Sequence, residues 1–238
     1  MSTKFFPFKI LFWVTIFSIA MGFLETSVVV YLRALLYPNG FAFPLTPIPH
    51  QLAVTELYRE IATLVMLLGT GFLAGKNLAS RFAWFLYSFA IWDIFYYVFL
   101  KLILNWPESW MTYDILFLIP STWVGPVITP LIVSFTMIFF ALMIVHNDSK
   151  REKMRIAFPV WTLLIAGSVS LMIGFEWDYS AFILEKYQLK ELWSVPSNDL
   201  LNLALVYIPR KFNWWLFSLG ELAILSGIFL FWKWNKKE

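Results

Sequence analysis

Residues 10–32 read ILFWVTIFSIAMGFLETSVVVYL, a 23-residue run whose single charge is Glu25. A helix needs ~20 mostly apolar residues to cross the hydrocarbon layer of a bilayer, because every backbone polar group must be satisfied within the segment. This run meets that length. Lys4 and Lys9 precede it, as they would in a secretory leader, but the apolar stretch continues well past Ala20. That is too long for a cleaved signal, so a retained spanning helix is expected.

Five further segments have the same character: residues 52–75, 82–104, 122–145, 156–175 and 213–232. Composition agrees with them. The 238 residues are 60% hydrophobic and 14% charged, with a mean hydropathy of +0.71. A soluble domain carries about 25% charge, and this much apolar surface exceeds what one globular core hides. An all-α integral membrane protein follows, a bundle of about six transmembrane helices in one domain over residues 1–238. The 13 Trp and 25 Phe fit aromatic belts at the lipid headgroups.

Charge orients the bundle, since cytoplasmic loops carry an excess of Lys and Arg. One side holds Lys4, Lys9, Lys76, Arg81, Lys150, Arg151, Lys153, Arg155, Lys233, Lys236 and Lys237. The other holds Arg33, Lys186, Lys190, Arg210 and Lys211, offset by Glu108, Asp114, Glu176, Asp178, Glu185, Glu191 and Asp199. Both termini are therefore expected in the cytoplasm, with a bacterial inner membrane as the setting. The net charge of +3 reflects these loops and not a nucleic-acid surface.

The long connections fall on the outer side. Residues 37–50 (YPNGFAFPLTPIPH) hold four prolines and no regular pattern, and suit an ordered or partly ordered loop. Residues 105–121 (NWPESWMTYDILFLIPS) are too apolar for a free loop and too short to span, so an interfacial or re-entrant segment is expected. The stretch that follows carries Gly125, Pro126 and Pro130, which read as a kinked helix or a re-entrant turn beside Asp114. Residues 176–212 suggest two short interfacial helices, the second capped at Ser197–Asn198 and ended by Pro209. Gly71 with Gly75, and Gly167 with Gly174, read as points of close helix packing.

Chemistry is narrowed by what is missing. Without cysteine there is no disulfide, thiolate metal site or iron–sulfur cluster, and with only His50 and His146 a bis-histidine haem is not expected. No phosphate loop, dinucleotide fingerprint, G-x-S-x-G or H-E-x-x-H occurs. The informative feature is the ionisable residues inside spans. At the bilayer centre each costs about 2.5–3.5 kcal/mol on insertion scales, so a protein or water environment with a partner is implied.

Those residues are Glu25 in the first span, Glu56, Arg59 and Glu60 (ELYRE) in the second, Asp93 and Lys101 in the third, and Glu221 in the sixth. All lie at mid-depth or in the outer half. Glu25 and Arg33 are eight apart, as are Asp93 and Lys101, so each acid shares a helix face with a base about 12 Å further out. Glu56 and Glu60, at i,i+4, repel unless a cation from Arg33 or Arg59 intervenes. A polar pocket between helices 1, 2, 3 and 6 is expected, with Asp114 beside it. The bland alternative leaves ELYRE as a solvated helix start and Lys101 snorkelling to the interface.

Three functions compete. One is an intramembrane enzyme on a lipid or isoprenoid of the outer leaflet, with carboxylates as general acid and base or as magnesium ligands. Another is a carrier or binding protein for a small polar solute or protons. The third is a non-catalytic accessory subunit docking a partner membrane chain. The bilayer is a partner in every case, and nucleic acid in none.

Overall fold

The computed structural model describes residues 6–119, 121–150, 155–188, 190 and 203–236. Its elements in chain order are α1 (Phe8–Leu36), α2 (His50–Ala74), α3 (Leu78–Leu104), β1 (Tyr113–Phe117), β2 (Trp123–Pro126), α4 (Ile128–Asp148), α5 (Phe158–Leu184) and α6 (Trp214–Lys236). The six helices are each long and apolar enough to cross a membrane. Their starts and stops follow local chemistry. Pro7 precedes α1 and Pro49 precedes α2, positions where a missing amide donor costs nothing. Asn77 caps α3 in a capping box with Ser80, and its side-chain amide also reaches Asp148 at the end of α4 (2.6 Å).

Helix pairing is set by small residues. α5 packs on α6 where Gly167 faces Gly220, and a Cβ on Gly167 would lie 2.6 Å from the Gly220 carbonyl oxygen. Gly75 permits the tight turn from α2 to α3, because a Cβ there would meet the Arg81 amide at 2.3 Å. α3 lies between α1, α2 and α4. At one end of the bundle, the beginnings of α1, α3 and α5 meet the ends of α4 and α6. Val14, Ala83, Trp84, Phe140, Val160 and Phe231 are among the side chains forming a continuous apolar core there. We call this the terminal end, and the opposite one the hairpin end.

The hairpin end departs from the sequence reading. The expected fourth span, 122–145, begins instead as strand β2, and the helix starts only at Ile128. Trp123 and Val124 favour extended backbone, and Gly125–Pro126 interrupt any helix. Pro130 then sits in the first turn of α4, where its absent N–H would have had no partner. β1 and β2 pair antiparallel, with Asp114 opposite Gly125.

This hairpin folds back into the helix bundle. The Phe117 ring near its tip packs against Phe89 and Trp92 of α3, at 6.2 and 6.4 Å between centroids. Trp92 lies twelve residues before the end of α3, so the tip descends about 18 Å into the bundle. Val127 and Ile128 return to the level of Thr112 and Trp110, whose carbonyls accept their N–H groups. Extended backbone at such depth is tolerated where protein packs against it, here α3, α5 and, through Glu60, α2.

α5 also runs further than expected, to Leu184 and not Phe175. Its polar last turns are held by side chains: Trp123 Nε1 donates to Glu176, and Asp178 accepts from the Tyr207 hydroxyl. One of the two short helices expected over 176–212 is thus the continuation of α5. The Ser197–Asn198 cap of the other lies outside the described residues. The proline-rich loop after α1 is ordered, its Phe41 and Phe43 rings packing on Trp106 and Tyr207.

Candidate functional site

α1 and α2 meet through charge. Arg59 donates from Nε and Nη2 to Glu56 Oε1 (3.0 and 2.6 Å), and its Nη1 bonds Glu25 Oε1 across the helix gap. Thr63, one turn beyond Arg59, offers its hydroxyl to Glu25 Oε2 at 3.4 Å. Glu25 is eleven residues from the end of α1, about 16 Å from the hairpin end. An ion pair at such depth, with both side chains largely covered, loses water that only its partners replace.

Glu60 faces elsewhere. Both of its carboxylate oxygens accept the backbone N–H of Leu118, at 3.1 and 3.0 Å, at the hairpin tip. The repulsion expected between Glu56 and Glu60 is therefore relieved by two different partners. Glu56 takes the Arg59 guanidinium, and Glu60 takes an amide from a segment 58 residues away.

Arg33 does not serve Glu25. Its guanidinium is buried 3.6 Å from Asp114 Oδ1 and stacks on Trp106 (3.9 Å to the ring centroid) and Phe41 (4.6 Å). The Tyr97 hydroxyl donates to Asp114 Oδ2 at 3.2 Å. Asp114 lies outside the six helices, and burial pushes its carboxyl up to about 6, opposed by Arg33 and by the bond from Tyr97.

Two acids occupy separate helix contacts. Asp93 accepts from Ser134 of α4 (2.8 Å), and Glu221 Oε1 from Thr136 of α4, with Glu221 Oε2 buried and without a donor among the described residues. Lys101 does not approach Asp93. It is exposed and donates to the carbonyls of Asn105 (3.3 Å) and Pro107 (2.9 Å), closing the end of α3. Eight residues along one helix leave too wide a gap for a direct pair, and the orphan carbonyls are nearer.

The single pocket expected between helices 1, 2, 3 and 6 is thus divided. Glu25, Glu56, Arg59 and Glu60 gather where α1, α2 and the hairpin tip meet. Arg33 and Asp114 join α1 to the hairpin, Asp93 joins α3 to α4, and Glu221 joins α6 to α4. Among the described residues no three His, Asp or Glu side chains converge as metal ligands. His50 and His146 are exposed at helix ends. The partners that sequence reasoning missed are hydroxyl side chains in apolar helices, Thr63, Ser134 and Thr136, together with Tyr97 and the Leu118 amide. Isolated hydroxyls in spans were the available signal.

No protein-family model, no curated protein and no solved structure matches this chain.

Proposed function

We propose that the protein is a membrane enzyme acting on a lipid or isoprenoid taken from the outer leaflet, at the junction of α1, α2 and the hairpin tip. The hairpin end then faces outward and both termini the cytoplasm of a bacterial inner membrane. The eleven basic residues that the sequence assigns to the termini and to the connections on their side support that orientation. The observation carrying the reading is the axial division of the bundle. Glu25, Glu56, Arg59 and Glu60 gather at the α1–α2 seam, largely but not fully covered, while the terminal end is filled by packed apolar side chains.

A lateral approach from lipid suits that arrangement better than passage across the membrane, for which the apolar core provides no polar path among the described residues. Glu60 is the candidate base. The Leu118 amide holds its carboxylate in place and leaves lone pairs free to take a proton from a substrate hydroxyl. Arg59, fixed by Glu56, holds Glu25 in position.

Two measurements test this. Single cysteines introduced as Ser149→Cys and Ser197→Cys into the cysteine-free chain should react from opposite membrane sides; same-side reaction overturns the orientation. Lipid extracts of cells lacking the protein should accumulate a substrate that the wild type clears and Glu60→Gln does not. An unchanged lipid profile, with uptake of a polar solute altered, would replace the enzyme by a carrier.

A further inference from the structure

Three features succeed one another along the seam between α1 and α2. Nearest the hairpin end stand Glu25, Arg59 and Thr63. One turn further in, Met21 of α1 and Leu67 of α2 are buried against Trp92 of α3. Trp92 is 94% covered, and its indole N–H has no acceptor among the described residues. About another turn on, the helices part around an apolar groove of about 400 Å³ lined by Trp13, Val14, Phe17 and Leu73, with Lys9 at its far end.

The hairpin tip adjoins the same place. Phe117 lies against the Trp92 ring, and the next residue, Leu118, donates its amide to Glu60. Three residues later the Ser121 hydroxyl is also buried, without a partner among the described residues. A buried indole N–H can only donate, so it calls for an oxygen acceptor, while the Glu60 oxygens that accept the Leu118 amide keep further lone pairs for a hydroxyl donor. The charge here is one-sided. Glu25, Glu56 and Glu60 outnumber Arg59, whose guanidinium is already engaged by two of them. With that guanidinium engaged, the cluster offers an anionic head no free cation to pair with.

We infer that this junction binds the hydroxyl-bearing head of an uncharged long-chain lipid, with its tail lying along the groove between α1 and α2. Trp92 Nε1 donates to an oxygen of that head, the Ser121 hydroxyl bonds it from the hairpin side, and Glu60 accepts from its hydroxyl. The inference rests on the lipid-directed reading above and specifies its substrate class, an alcohol and not a phosphate ester. A tail pointing away from the hairpin end matches the direction of outer-leaflet chains in the proposed orientation.

The test is titration of the full chain in detergent, followed by native mass spectrometry, with dioleoylglycerol, a long-chain polyprenol and the monophosphate of that polyprenol. At least one alcohol should bind at least about tenfold more tightly than the phosphate, and Trp92→Phe should weaken alcohol binding about tenfold. Preference for dioleoylglycerol identifies a glycerolipid, and preference for the polyprenol an isoprenoid; both outcomes support the inference. Binding of neither alcohol, or equal binding of the phosphate, overturns it. So does alcohol affinity unchanged in Trp92→Phe. Should that variant fail to fold, Ser121→Ala decides, with a several-fold loss expected and no loss overturning the assignment. Alcohol binding without turnover of any lipid would leave this site standing and remove the enzyme. Turnover of a phosphate ester would do the reverse.

Discussion

Glu60 on α2 and Leu118 at the hairpin tip are joined across 58 residues of sequence, the carboxylate accepting one backbone N–H on both oxygens. The contact satisfies two costly groups together: a carboxylate at depth and an amide that the short β1–β2 ladder leaves unpaired. It also ties α2, which packs mainly on α3, to the β1–β2 hairpin.

Replacing Glu60 separates this structural role from the proposed chemical one. Glu60→Leu leaves the Leu118 amide without an acceptor and should cost about 1–3 kcal/mol. Glu60→Gln keeps a carbonyl acceptor and should cost under about 1 kcal/mol. Thermal unfolding in detergent reads both. Equal melting of Glu60→Leu and wild type would remove the anchor from the account.

Close approach of α5 and α6 at Gly167 and Gly220 leaves no room for a side chain. Gly167→Val forces the helices apart and should destabilise by about 1–3 kcal/mol. Gly69, in α2, has open space where its Cβ would go, so Gly69→Ala should be neutral or stabilise by up to ~1 kcal/mol through helix propensity. Comparable losses in the two variants would contradict the packing described.

Asp114 supplies a pH dependence with a definite sign. Its carboxyl stands at about 6 in the folded chain against 3.8 when unperturbed. A raised acid binds its proton more tightly when folded, so its contribution to stability is present below pH ~4 and is lost as pH rises through ~6. The melting temperature of the wild type minus that of Asp114→Asn should therefore fall between these pH values. A difference that grows with pH would mean that the Arg33 pair outweighs burial.

The part of this protein that one-dimensional pattern determines is the set of spans. A bilayer-crossing helix closes its own hydrogen bonds, so length and apolarity suffice to place it. The residues from Ile10 to Leu32 fall inside α1, and the ranges read for the second, third and sixth helices end within a few residues of α2, α3 and α6. The depth of Glu25, Asp93 and Glu221 follows from the same counting.

Pairing was decided by the fold. Glu25 shares a face with Arg33, but spacing along one helix cannot reveal that Arg59 on the neighbouring helix is nearer, or that Asp114 on the hairpin takes Arg33. The hairpin itself was hidden for a related reason. In residues 113–119 and 121–126 apolar side chains pack on both faces of a segment that is at least half-buried throughout, so they give no alternation to distinguish a strand from a membrane helix. Only the third dimension brings Leu118 to Glu60 and Phe117 to Trp92. Which partner satisfies a polar group in a low-dielectric interior is settled by distances of a few ångströms between elements remote in sequence.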